Sequence, residues 1–243
     1  MLAGGAATLA ARRLKERVIR AASHLLEASV EDIEAADGRV FVGGTDRSLT
    51  FREIAKAVYS EMGRLPRDAR EELEVTKVYD PYFGTTSSAT HIVMLEIDPE
   101  TCRVKLDRYV VAEDCGRIIN PMIVDGQVHG AVSQGIGAAL YEEVIYDGAG
   151  QLLTASLADY VISTATEVPS MSTVHLETEA PSTVGGFRGM GEGGTIGAPA
   201  AIANALADAL APLGIEIFEL PMTPERLFRL IEQAKTRRQG EMR

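Results

Sequence analysis

Residues 188–210 read RGMGEGGTIGAPAAIANALADAL. Glycines stand at 189, 191, 193, 194 and 197, and a lone acid, Glu192, sits among them. An apolar run follows, with Ile202, Leu206 and Leu210 on one helical face. This stretch decides the fold because GMGEGG has the spacing G-x-G-x-x-G at Gly189, Gly191 and Gly194. In a dinucleotide-binding fold that motif closes the first strand of a βαβ unit, and an acid follows on the next strand about 20 residues later. Here about nine residues separate the nearest β-rich run, TVHLETE, from the loop, and Asp208 falls on the helix itself. The context fails, and no phosphate-binding G-x-x-x-x-G-K-[ST] occurs either.

The loop still has chemistry to offer. Glycines let backbone N–H groups approach a bound group closely, and the start of a helix welcomes an anion or an oxo group. The helix is expected from about Ala198 to Leu210, with Pro199 in its first turn and Gly214 at its end. A carboxylate enclosed by apolar surface has a raised pKa, which would suit Glu192 as a general base. The alternative, equally open from spacing alone, is that Glu192 caps the helix or stands in solvent.

Working outward, AATLAARRLKERVIRAASHLLEAS is a strong helix, with Leu9, Leu14, Val18, Ala22 and Leu25 near one face. SVEDIEAADG reads as a short turn of helix with Ser29 and Asp32 spaced as a capping box. RVFVGG is a strand, and LTFREIAKAVYSEMGRLP a helix capped by Thr50 and stopped at Gly63. HIVMLEIDPETCRVKLDRYVVAEDCG is a hairpin about the turn DPET. MIVDGQVHGAVSQGIGAALYEE has helical period, with Ile123, Gln127, Val128, Ala131, Gly135 and Ala139 near one face. A second hairpin is expected at YDGAGQ, a strand at TVHLETE, and a last helix, TPERLFRLIEQAKTRR, capped by Thr223. Helices and antiparallel hairpins mix without a regular βαβ rhythm, so the fold class is α+β.

Composition narrows the function. The chain has 243 residues, 46% of them hydrophobic and 24% charged, which suits a soluble globular domain. A net charge of −11 argues against nucleic acid or an anionic membrane as partner. No uninterrupted apolar run reaches the length of a membrane span, and the N-terminus lacks the order of a secretory signal. Two cysteines without a CxxC fit a reducing, cytoplasmic setting and provide no iron–sulfur or cysteine-rich zinc site.

Two further clusters are candidates. Gly126, Gly130, Gly135 and Gly137 interrupt a helical pattern at a cost of about 1 kcal/mol each, which implies close approach of something to that helix. Helix packing explains some of them but not Gln127 and Gln134 beside them. His129 stands alone, since His24, His91 and His175 lie at no metal spacing. Asp114, Arg117 and Asn120 in EDCGRIINP form either a polar cleft or a turn closed by Asn120 and Pro121.

Three segments, VVAEDCGRIINPMIVDGQVHGAVSQGIGAALYEEVIYD, LADY and RGMGEGGTIGAPAAIANALADAL, closely resemble the C-terminal part of the molybdenum-binding subunit of the xanthine dehydrogenase family. That family includes aldehyde oxidoreductases, carbon monoxide dehydrogenases and bacterial hydroxylases of N-heteroaromatic acids. The resemblance implies a molybdopterin-binding region over 1–243, divisible at about 1–80 and 81–243. It implies that Glu192 is the active-site base in a hydroxylation that takes oxygen from water and reduces molybdenum from Mo(VI) to Mo(IV). Gln127, Gly191, Asn120, Gly4 and Gly5 match positions near the cofactor, a molybdopterin with a cytosine dinucleotide, and no side chain binds the metal directly. Iron–sulfur (2Fe-2S) and FAD subunits would be partners, together with a small-molecule substrate. The preceding half of the subunit is absent here, and the abrupt helical start at Met1 fits its lying upstream or on a separate chain. Arg188 stands where many members have lysine, and Cys102 where glycine is usual. The rival reading is a cofactor-free scaffold that retains the fold.

Overall fold

The computed structural model describes residues 1–83 and 86–241. The chain divides into two compact units, 1–83 and 84–243.

In the first unit, α1 (Leu2–Leu26) buries Ala21, Ala22 and Leu26. They pack with residues of a three-stranded antiparallel sheet, β1 (Ile33–Ala36), β2 (Arg39–Val42) and β3 (Ser48–Thr50), and of α2 (Phe51–Tyr59). Val40 and Ile54 are wholly buried at the centre. Thr50 starts α2 as expected. Its hydroxyl accepts the Glu53 N–H, and the Glu53 carboxylate accepts the Thr50 N–H, closing a capping box. Arg13, Arg17 and Arg20, spaced along one face of α1, converge on Glu71.

Two expectations fail in this unit. Ser29 does not cap: its hydroxyl donates to Glu31, Val30–Asp32 form a single 3-10 turn, and the next residues are strand β1. Pairing of Ile33 with Val42 and of Ala35 with Val40 overrides the local helical preference. α2 ends at Tyr59 rather than at Gly63, and Met62–Arg64 continue as a 3-10 turn.

In the second unit, β4 (Ser88–Ile97) and β5 (Val104–Asp114) form the expected hairpin. Its turn is held by Asp98, whose Oδ1 accepts the Glu100 N–H at 2.8 Å. Cys102 has φ 57, the left-handed conformation that favours glycine. β6 (Met171–Leu176) joins β5 in parallel, so the sheet order is β4-β5-β6. A parallel pair needs a crossover, and α3 (Pro121–Leu140) lies within it. The α+β class stands, with a mixed sheet in place of purely antiparallel hairpins. α4 (Gly193–Leu210) packs on α3 and β4, and α5 (Pro224–Glu241) adds Leu227 and Ile231 to the core. Thr223 caps α5 as expected, accepting the Arg226 N–H at 3.4 Å.

The expected hairpin at YDGAGQ is a tight turn on Asp147 with a single bridge, Tyr146 to Leu152. On α3 the buried stripe is Val124, Val128, Ala131, Val132, Gly135 and Ile136, while Ile123 and Gln127 face out. α4 begins at Gly193, five residues earlier than expected, and Pro199 lies inside it. Segment 193–213 has the length and apolar composition of a membrane-crossing helix, which the sequence reading did not anticipate. In this fold Ala198, Ile202, Leu206 and Leu210 on it belong to the core.

Candidate functional site

The start of α4 is built by close packing. A Cβ at Gly194 would lie 2.8 Å from the Val128 carbonyl oxygen and 2.8 Å from the Ala131 Cβ, so only glycine lets α4 approach α3 there. The Thr195 hydroxyl donates to the Ala131 carbonyl at 3.1 Å. These contacts give a glycine-rich segment of poor intrinsic helicity a reason to be helical, and so move the helix start back to Gly193. They also seat the loop on the part of α3 that follows Gln127.

Glu192 occupies the residue before the first turn. Its carbonyl accepts the N–H groups of Thr195 and Ile196, but its side chain makes no capping hydrogen bond and is exposed. The capping alternative is therefore not what the side chain does. The apolar enclosure expected around it is not provided by the described residues of this chain. Beside it opens a cleft of about 520 Å³ lined by Thr86, Ser87, Ala89, Met190, Ile196 and the glycines 189, 191, 193 and 197. Among the described residues, a Cβ at Gly191 would meet nothing within 4 Å.

Behind the loop lies an acid that the sequence reading passed over. Glu113, on β5, is 1% exposed, and its carboxyl oxygens have no hydrogen-bond partner among the described residues. Its Oε2 would lie 3.3 Å from a Cβ at Gly193. His175 Nδ1 is 3.7 Å from Oε1, and His175 Nε2 bonds Asp125, which also accepts from Thr173. Burial raises the Glu113 pKa; His175 acts the other way, and Asp125 adds to the rise. The signal was present in the strand alternation, because Tyr109, Val111, Glu113 and Cys115 all fall on the buried face.

The remaining candidates separate. Asp114 ends β5: its Oδ1 accepts the N–H groups of Gly116 and Thr178, and its pKa is lowered chiefly by Thr178. Asn120 caps α3 by accepting the Ile123 N–H at 3.4 Å, and Arg117 is exposed. Asp114 and Asn120 are thus engaged with nearby backbone N–H groups, and Asn120 starts α3 rather than closing a turn with Pro121. Arg188 ties the loop down, its guanidinium donating to the carbonyls of Thr178 and Thr86, each at 3.3 Å. Gln127 is exposed. Gly4 and Gly5 belong to the first unit, where Gly4 is exposed and Gly5 packs against the Tyr79 ring. Of the four glycines on α3, Gly135 and Gly137 are crowded, while a Cβ at Gly126 or Gly130 would meet nothing within 4 Å. Cys102 and Cys115 are both free and buried, and no metal-holding cluster of His, Cys, Asp or Glu exists among the described residues.

Fold and site together define an α+β domain with a lone exposed acid on a glycine loop packed against α3. Residues 1–169 match the model of the molybdopterin cofactor-binding domain, and the chain belongs to that family. It is 41% identical to the nicotine 6-hydroxylase large subunit of Paenarthrobacter nicotinovorans over 230 residues, covering 94% of this chain and 28% of that protein. The crystal structure of quinoline 2-oxidoreductase from Pseudomonas putida 86 superposes with a TM-score of 0.84 at 44% identity, over 91% of this chain and 28% of that one. Reconstituted CO dehydrogenase from Oligotropha carboxidovorans gives 0.84 at 32% identity, over 96% and 29%. The chain thus spans less than a third of the length of these relatives.

Proposed function

We propose that this chain is the C-terminal, base-bearing part of the molybdenum-binding subunit of a molybdenum hydroxylase, and that Glu192 is the base. The observation that carries the reading is the exposed Glu192 carboxylate at the N-terminus of a tightly packed helix, beside an open cleft. The residues fit a molybdopterin cofactor: open ground at Gly126, Gly130 and Gly191 leaves room for it, and the α4 N-terminus favours its negative charge. Gln127 and Gly191 would hold it, with Asn120 nearby, and its nucleotide would be cytosine. When bound, the cofactor supplies a metal that accepts two electrons from the substrate carbon.

The chain's own residues do the rest. Glu192 takes the proton that the water-derived oxygen must lose and releases it when the product leaves. The glycines beside it keep side chains out of the space the substrate needs. The other part of the subunit would enclose the cleft, excluding water and strengthening every charge interaction within it. Iron–sulfur and FAD subunits would take the electrons, and the assembly would be cytoplasmic. Among aldehyde, carbon monoxide and N-heteroaromatic substrates, the higher identity to nicotine 6-hydroxylase and quinoline 2-oxidoreductase supports an N-heteroaromatic one.

The test is Glu192→Gln in the assembled complex. Turnover should fall by at least about a thousandfold with molybdenum content unchanged. Retained turnover would refute the base assignment. A native complex without molybdenum would instead favour the scaffold reading.

A further inference from the structure

We infer that His91 is a positioning residue for Glu192: a hydrogen-bonded strut that fixes the first turn of α4 against the sheet. The inference rests on the reading of Glu192 as the base. His91 lies on β4, and its Nε2 is 3.3 Å from the Gly193 carbonyl oxygen while its Nδ1 is 2.9 Å from the Tyr109 hydroxyl. A carbonyl only accepts, so Nε2 carries the hydrogen and donates it to Gly193. Nδ1 then accepts from the Tyr109 hydroxyl, which is wholly buried. The tautomer is therefore specified from both ends of the ring. Burial lowers the His91 pKa, with the Gly193 bond acting the other way, and burial raises that of Tyr109, both in the direction of the neutral forms this hydrogen-bond pattern uses.

The strut meets the loop one peptide bond from Glu192. A turn further on, a Cβ at Gly197 would lie 2.5 Å from the His91 Cδ2, so only glycine allows α4 to rest on the imidazole face. Gly194 and Thr195 hold the other side of the same turn against α3. The glycines at 189, 191 and 193 have no stiffness of their own, so the position of Glu192 is imposed from outside the loop. Such a constraint matters for a base, because a displacement of about 1 Å costs on the order of a hundredfold in rate.

Two variants test this. His91→Leu removes both ring nitrogens, whereas His91→Gln keeps a donor for the Gly193 carbonyl. In the full chain, amide exchange over residues 193–197 should quicken by about tenfold or more in the Leu variant and return most of the way in the Gln variant. Exchange at the far end of the β4–β5 hairpin should not change. In the assembled enzyme the Leu variant should lose about tenfold or more in kcat, with KM and molybdenum content kept, and the Gln variant should recover most of that loss. Imidazole nitrogen NMR of the full chain should show His91 protonated on Nε2 and not on Nδ1.

Unchanged exchange in His91→Leu, or a proton on Nδ1 alone, overturns the strut. Exchange as fast in the Gln variant as in the Leu variant overturns the hydrogen bond as its cause. Quickened exchange with unchanged kcat overturns the positioning role. Failure of the base reading is a separate signal, since Glu192→Gln would then retain turnover while the exchange pattern stayed as expected.

Discussion

Gly130→Ala and Gly135→Ala place the same methyl group on the same helix and should change stability in opposite directions. At Gly135 the new Cβ would lie 2.5 Å from the Ala198 Cβ and 3.3 Å from the Pro199 Cδ, against an ordinary contact of 3.4–4 Å. Both neighbours are on α4, and neither is the end of a flexible side chain, so α3 and α4 must part by about 1 Å or bend. Overpacking of this kind costs about 1–3 kcal/mol, and the severity of the contact puts it in the upper half. Alanine returns about 1 kcal/mol of helix propensity, so the net loss is about 1–2 kcal/mol. At Gly130 the Cβ meets nothing within 4 Å and only the propensity gain remains, about 0.5–1 kcal/mol. The variants should therefore differ by about 2 kcal/mol, roughly 4–8 °C in Tm for a domain of this size. Thermal and urea unfolding of the chain followed by circular dichroism measures this directly. If Gly135→Ala proves as stable as Gly130→Ala, the close contact between the two helices is wrong, and with it the packing that brings the glycine loop to its place.

Other outcomes follow from the same geometry. Folding raises the Glu113 pKa, so between its unfolded and folded values the native state binds more protons than the unfolded chain, and stability declines as pH rises. Glu113→Gln should unfold like wild type near about pH 4, close to the ordinary carboxylate value, and should be the more stable protein increasingly above it. Parallel urea titrations across pH check this, and a constant difference would mean that Glu113 does not titrate differently on folding. Thr50→Ala removes the α2 cap and should cost about 1 kcal/mol. Adding Glu53→Ala should cost less than its effect alone, because the two side chains already act as one box.

What the sequence by itself determined is what is decided within a few residues. Thr50 and Thr223 cap helices because the partner N–H is three residues on. The hairpin of β4 and β5 follows from a turn whose Asp98 bonds its own backbone, and the run after the glycine loop is helical by period. Glu192 was legible as a lone acid at a helix start, and the resemblance named its family from the same residues. Tertiary structure decided the rest. It paired β6 with β5 in parallel, rotated the buried stripe of α3 away from Ile123 and Gln127, and started α4 at Gly193 although its glycines disfavour a helix. It sorted four similar glycines on α3 into two that are crowded and two that face open space. It also brought His91, Tyr109 and Glu113 behind a loop some 80 to 100 residues further along the chain. The physical reason is common to all of these. Caps and turns are short-range bonds that a few neighbouring residues specify, whereas burial, strand pairing and steric fit depend on surfaces that become neighbours only when the chain has folded.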